Sequence, residues 1–309
     1  MLELLYKMQP LDFVYLLVGI ILVIFSIQSF VDKDHNHRIG TGLFWLLYGI
    51  SFIFGSYMSK EINGWLVIAM AAIVLFKQLG KGNYFESAID FKKMEALRIG
   101  NVIFIPALLV GIITFIIGFF TKLGALVGLA IASIIALCVA LYITKAKVGQ
   151  SFHEGRRLLD AISWTAILSQ LLAALGYLFN LAGVGKLISS MVASIVPADN
   201  VFLIVVAYCI GMAFFTMIMG NAFAAFAMIT SAIGVPMLVA GHGANPAVIG
   251  PIAMLAGYCG TLMTPMAANF NIVPVALLEM KDTYGVIKAQ IPVAIVMLTL
   301  NILLMYYFL

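Results

Sequence analysis

Charge is the scarcest thing in this chain. Its 309 residues include 17 Lys and Arg and 13 Asp and Glu, 10% in all, where soluble domains carry about 25%. So few ionic groups cannot clothe a globule of this size in water. A soluble enzyme and a disordered regulator are excluded. Cysteine is nearly absent as well. Cys138, Cys209 and Cys259 are odd in number, far apart and inside apolar runs. That excludes a disulfide scaffold and a CxxC metal site, and the three read as small buried hydrophobes.

Catalytic groups are missing too. The four histidines, His35, His37, His153 and His242, lie outside every apolar run. His35 and His37, in Asp-His-Asn-His, read as a solvent-exposed loop pair, and His242, between glycines, as an exposed loop residue. Asp12, Asp160 and Glu279 fall at the ends of apolar runs, and no carboxylate sits at an apolar midpoint, so no proton-relay carboxylate is expected. There is no GxxxxGK[ST] phosphate loop and no protease constellation. The expectation is a protein that is not an enzyme. The net charge is +4, but the bases sit in short loops between apolar runs, so nucleic acid is not an expected partner.

What is present is apolar: 64% of residues, with a mean hydropathy of +1.13. The runs are continuous rather than alternating in segments of about ten, which excludes a β-barrel. The expected fold is all-α, a polytopic helical protein of the lipid bilayer. Runs of about 20 residues cross the hydrocarbon, and 11–31, 41–58, 62–76, 102–120, 123–143, 161–181, 201–219 and 291–309 qualify. The first is read as a retained helix, not a cleaved signal. Lys33 and Arg38, then Lys77, Lys81, Lys92, Lys93 and Arg98, then Lys145, Lys147, Arg156 and Arg157 fill three loops, whereas the alternate loops hold only Lys7, Lys60, Lys122 and Lys186. The positive-inside rule places those three loops in the cytoplasm and the N-terminus outside.

Segments 84–98 and 183–197 carry one-sided apolar residues and read as helices in the membrane interface, with a solvated loop helix as the alternative. The basic loop 144–160 divides plain scaffold-like helices at 1–150 from a C-terminal region, 160–309, in which small and polar residues gather.

Two features of that region carry chemistry. Gly220-Asn221-Ala222-Phe223 opens a stretch, 221–233, that ends before Gly234-Val235-Pro236. Thirteen helical residues span roughly 20 Å, too short to cross, so a hairpin entering and leaving on one side is read here, against one Pro-kinked span over 222–240. The second is Gly257–Asn271. Gly260 can end a helix, and Thr264 with Pro265 can start another, which spells helix, break, helix within one crossing, against a single packed Pro-kinked helix. Discontinuous helices mark transporter binding sites. Freed N–H groups suit a carboxylate and freed carbonyls suit Na⁺. The candidate substrate or ion contacts are Asn221, Thr230, Thr261, Thr264, Asn269 and Asn271. No cofactor is expected beyond Na⁺.

Gly220-Asn221-Ala222-Phe223, followed about forty residues later by Gly260-Thr261 and Thr264-Pro265, resembles the ion-transporter superfamily of secondary carriers. Across most of its length the chain also resembles a bacterial permease family known as a domain of unknown function. Its members are encoded beside a smaller multi-pass membrane protein, often near a pyrrolidone carboxyl peptidase. The resemblance implies an elevator-type, ion-coupled secondary transporter in the bacterial inner membrane, with a small organic anion such as 5-oxoproline as substrate. The superfamily has two inverted repeats, each with a hairpin and an unwound helix. Only one such set is visible here, so the smaller membrane subunit, a homo-oligomer, or both, would complete the site. A non-transporting scaffold or assembly subunit is the alternative reading.

Overall fold

The computed structural model describes residues 9–82, 84, 89–278 and 280–309. Lys7, residues 85–88 of the amphipathic stretch and Glu279 lie outside them. The described residues hold helices and no strand. Among the described residues six helices are long and apolar enough to cross a bilayer: Pro10–Val31, Lys93–Phe120, Ala125–Thr144, Val201–Met219, Ala222–His242 and Gly285–Tyr307. A seventh span is reached only if Val148–Ile162 and Thr165–Phe179 are taken as one. The expected span 41–58 is a shorter helix, Arg38–Phe54. The chain forms two compact units, Met1–Asp160 and Ala161–Leu309.

The first unit is built from helical hairpins. Helix α1 (Pro10–Val31) starts where Pro10 supplies a ready-made φ and Asp12 reaches back to the Gln9 N–H at 2.9 Å, a capping box. It runs antiparallel to α2 (Arg38–Phe54), and glycines bring the two backbones together. A Cβ on Gly49 would lie 3.0 Å from the Gly19 carbonyl oxygen, and one on Gly19 would lie 2.9 Å from that of Gly49. Small residues at such contacts are how helices associate in a medium with no hydrophobic force between them. Ser26 bonds the Gly42 carbonyl across the pair at 2.6 Å. Then come α3 (Lys60–Leu75) and α4 (Ile89–Ile99). The latter continues through a tight 3₁₀ turn, Gly100–Phe104, into α5 (Ile105–Phe120). Helix α5 has no buried residue and pairs with α6 (Ala125–Thr144), where Gly118 meets Ala125. Helix α7 (Val148–Ile162) lays Phe152 against Phe25 of α1, with centroids 6.3 Å apart. Cys138 on α6 is exposed, a correction to its reading as buried, while Cys209 and Cys259 are buried.

The second unit contains α8 (Thr165–Leu181), α9 (Val184–Ile195), α10 (Val201–Met219), α11 (Ala222–His242), α12 (Pro246–Leu262), α13 (Ala268–Leu277) and α14 (Gly285–Tyr307). Its core is Ile204, Tyr208, Met212, Ile229, Ile233 and Leu238, with Ile252, Ala256 and Met305. One apolar side of α9 (Val184, Ile188, Val192) packs on this core, whereas Leu187, Met191 and Ile195 point outward and are exposed.

Residues 221–233 do not turn back at Gly234, and the short hairpin read there is corrected. The helix runs unbroken from Ala222 to His242. Pro236 removes one N–H, and the ladder widens to π geometry over Thr230–Val239, so that Ala240 N–H reaches back five residues to Val235. That is a known way to carry proline inside a helix. Gly234 serves packing, not turning: a Cβ there would meet the Tyr208 ring at 2.8 Å. The hairpin that does exist is longer. It pairs α10 with α11, and its tip is Gly220-Asn221.

Helices α10 and α12 run in the same direction in close contact. A Cβ on Gly260 would lie 2.2 Å from the Ala213 carbonyl oxygen and 2.9 Å from its Cα. Gly260→Ala is therefore expected to cost about 1–3 kcal/mol, seen as a lower Tm of the detergent-solubilised protein. Gly64→Ala in α3 meets no neighbouring atom within 4 Å, and is expected to leave the Tm unchanged or raise it.

Candidate functional site

Helix α12 ends at Leu262 and α13 begins at Ala268, which leaves five residues, Met263–Ala267, out of helix. The discontinuity read from the sequence is present, with both of its caps three residues later than expected, at Met263 and Ala267. Gly260 lies inside α12 and does not cap it. Thr264 is not the cap of α13 either, because Ala267 occupies that position. The parallel course of α10 and α12 puts the break level with Gly220, at the end of a helix of spanning length.

Asn271 holds the break together. It is fully buried and sits one turn into α13. Its amide nitrogen donates to the Thr261 carbonyl at 2.8 Å and to the Thr264 carbonyl at 2.6 Å. Helix C-termini leave carbonyls without partners, and a buried one is costly. One side chain thus satisfies one carbonyl in the last turn of α12 and one inside the interruption. The Thr264 hydroxyl donates to the Met217 carbonyl at 2.8 Å and accepts the Met266 N–H at 3.2 Å, tying the break to the last turn of α10. Two buried oxygens here have no hydrogen-bond partner: Asn271 Oδ1 and Thr216 Oγ1. Thr216 faces Gly257 of α12, where a Cβ would lie 3.3 Å from its hydroxyl.

The hairpin tip touches the same place. Gly220 has φ +63°, which favours glycine, and a Cβ there would lie 2.6 Å from the Met266 carbonyl oxygen. Asn221 caps α11, its side-chain oxygen accepting from Phe223 and Ala224 N–H at 2.9 and 3.3 Å. Between tip, break and α8 lies a cavity of about 30 Å³, bordered by Ser169, Leu172, Gly220, Met266 and Asn269. That is room for one or two water molecules.

The six candidates therefore separate. Thr261, Thr264 and Asn271 are joined by hydrogen bonds. Asn221 and the exposed Asn269 flank them. Thr230 stands apart: it bonds Tyr208 at 2.7 Å, nine residues along α11 from Asn221, about 13 Å. Sequence reasoning missed Thr216, whose signal was a lone hydroxyl near the end of an apolar helix.

The first unit holds a second buried polar cluster that the sequence reading did not foresee. Asp160, on α7, is 2% exposed and His35 is 4% exposed, which corrects the reading of His35 as solvent-exposed. Asp160 Oδ2 accepts the Gly82 N–H at 3.0 Å and the Tyr84 hydroxyl, with His35 Nε2 3.4 Å away. His35 Nδ1 accepts the His37 N–H at 3.2 Å, which turns Nε2 toward the carboxylate. Arg156, one turn before Asp160, pairs with Asp32 and lies over the Tyr84 ring, 5.4 Å from its centre. Burial works against the Asp32 carboxylate, but bonds from Arg156 and the Asp34 N–H outweigh it and hold its pKa below the ordinary value. Burial and the hydrogen bond to Asp160 push the Tyr84 phenol up. The cluster ties loop 32–37, the 76–84 connection and α7 together. Among the described residues no three His, Cys, Asp or Glu side chains gather as a metal site. His242 is exposed, its Nδ1 2.7 Å from the Met237 carbonyl oxygen.

An all-α fold with six apolar helices of spanning length defines a polytopic helical membrane protein. Within that class the chain belongs to a family described as protein of unknown function (DUF979), whose model matches residues 12–309. No curated protein and no solved structure matches the chain.

Two expectations follow. Asn271→Ala strips two buried carbonyls of their donor and should lower stability by about 2–4 kcal/mol, read as a fall in Tm in detergent, whereas Asn269→Ala, at an exposed position, should not. Asp160→Leu leaves the Gly82 N–H and Tyr84 hydroxyl unpaired and should cost about 2–4 kcal/mol. The Asp32 share has a pH sign: its pKa is lowered in the folded protein, so its contribution is present above the ordinary value of 3.8 and fades as pH falls through the lower folded value. Arg156→Gln should flatten that acid limb of a Tm–pH profile.

Proposed function

We propose that this chain is the membrane subunit of an ion-coupled secondary transporter for a small organic anion. The observation that carries this reading is the break at Met263–Ala267, held by Asn271 and Thr264 against a glycine-opened hairpin tip, with Asn271 Oδ1 buried and unpartnered. Backbone that leaves the helix inside an apolar protein is tolerated where protein satisfies it or where it serves a ligand. N–H groups at the start of α13 suit a carboxylate, and carbonyl and amide oxygens suit Na⁺, with H⁺ as the other coupling ion. The resemblance to ion-transporter superfamily permeases and the peptidase found near members of the similar family support a carboxylate such as 5-oxoproline. Residues 160–309 form the transporting region, and 1–150 the scaffold. The chain is not an enzyme. It works in the bacterial inner membrane with its N-terminus outside, beside a smaller multi-pass subunit or a second copy that supplies the missing half-site. The 30 Å³ cavity is smaller than any carboxylate substrate, so tip and break must part for loading.

That same closure, with the break level with the end of α10, favours a second reading, a non-transporting scaffold subunit. Uptake of labelled 5-oxoproline and other small carboxylates into proteoliposomes holding the chain and its partner separates the two. Transport through this site predicts that Thr264→Ala and Asn221→Ala, in protein verified as folded, cut uptake at least about tenfold, the equivalent of one lost hydrogen bond to a charged ligand. Unchanged uptake in both variants establishes the scaffold reading instead. Replacing Na⁺ by choline identifies the coupling ion, and transport by the isolated monomer would remove the shared half-site.

A further inference from the structure

A groove of about 690 Å³ opens in the first unit between the start of the Lys93–Phe120 helix and the end of α6. Its walls are apolar: Ile99 and Val102 on one side, Leu141 and Ile143 on the other. Arg98 and Lys145 stand on its rim with Tyr142, which is 85% exposed. The two cations come from different helices but share one end of the α5–α6 hairpin. The Arg98 guanidinium reaches the Thr144 carbonyl at 3.4 Å, in the last turn of α6, and Lys145 is the residue that ends that helix. Arg98 also pairs with Glu95 at 2.5 Å. That contact engages one terminal nitrogen of a group with five N–H donors.

Helix α6 has 20 residues, about 30 Å, the thickness of the hydrocarbon core. Lys145 therefore stands at headgroup depth and the walls of the groove at acyl-chain depth. No residue in the apolar window of the Lys93–Phe120 helix is fully buried, so the groove opens sideways to lipid rather than to water alone.

We infer that this groove is a binding site for an anionic phospholipid, with Arg98 and Lys145 on the phosphate and Ile99, Val102, Leu141 and Ile143 along an acyl chain. Charge complementarity selects the anionic headgroup. The apolar walls select a lipid over a free anion. A tyrosine at the same level is where amphipathic rings settle in membranes. The site is independent of the transport reading, which concerns the other unit.

The full-length protein in detergent micelles, cross-linked by phosphatidylglycerol with a photoactivatable acyl chain, tests this directly. Labelled peptides are mapped by mass spectrometry. Labels should fall on 99–102 and 141–146, and be displaced by unlabelled phosphatidylglycerol at concentrations at least about tenfold below those needed of phosphatidylcholine. Each interfacial cation contributes a factor of about five, so Arg98→Gln with Lys145→Gln should weaken phosphatidylglycerol about twenty-five-fold. Lys122→Gln, at the other end of the hairpin, should change nothing. Both rim side chains are solvent-facing, and the headgroup preference of the unaltered protein is read without any variant. Equal displacement by phosphatidylcholine reduces the groove to an apolar slot and overturns the inference. Displacement by inorganic phosphate at matching concentration makes it a free-phosphate site and also overturns it, as does unaltered phosphatidylglycerol labelling in the double variant.

Discussion

A buried carbonyl without a hydrogen-bond donor is the cost that the C-terminal unit is built around. Breaking a helix frees carbonyls in its last turn, and water would ordinarily take them. Here the freed groups at Thr261 and Thr264 lie among apolar helices, and the Asn271 amide takes both. With that bond pair in place, Met263–Ala267 can leave the helical path, Thr264 can engage the end of α10, and the Gly220 tip can approach Met266. A leucine at 271 would fill the volume but not the two acceptors. The arrangement depends on one polar side chain being placed one turn beyond the break.

The same constraint governs the rest of the molecule. Where the chain must carry Pro236, the helix does not open. It widens to π geometry and keeps its ladder. Where helices must meet without a hydrophobic force to press them together, glycines at 19, 49 and 260 let backbone touch backbone. Where charges must be buried, in the first unit, they are paired: Asp160 with two donors, Arg156 with Asp32 and the Tyr84 ring. That cluster joins two loops to α7 and gives the first unit a fixed end, while α5 packs on α6 without fully burying any residue.

Architecture and function meet at the hairpin tip. A two-residue connection, one residue in the left-handed region and one capping the next helix, is rigid. It meets the break through backbone at Gly220, while the Thr264 hydroxyl holds the break to Met217 in the last turn of α10. Asn271 Oδ1 is buried beside this contact without a hydrogen-bond partner.

Composition and run length alone determined that this is an all-α protein of the bilayer. Ten per cent charge and continuous, non-alternating apolar stretches admit little else, because lipid offers the backbone no hydrogen-bond partners and a helix satisfies its own. Sequence also located the helix discontinuity to within three residues and named Asn221, Thr264 and Asn271, since Gly, Pro, Asn and Thr stand out against an apolar background. Tertiary structure decided what local pattern could not hold. Gly234 and Pro236 look like a turn in sequence, yet the Tyr208 ring fills the space at Gly234 and the helix continues. Gly260 looks like a cap, yet it is where Ala213 comes closest. His35 and Asp160 are 125 positions apart and read as loop residues. Only the packing of α7 and the 76–84 connection against the end of α1 buries them together, because burial belongs to the neighbours a residue acquires, and those are chosen by the whole chain.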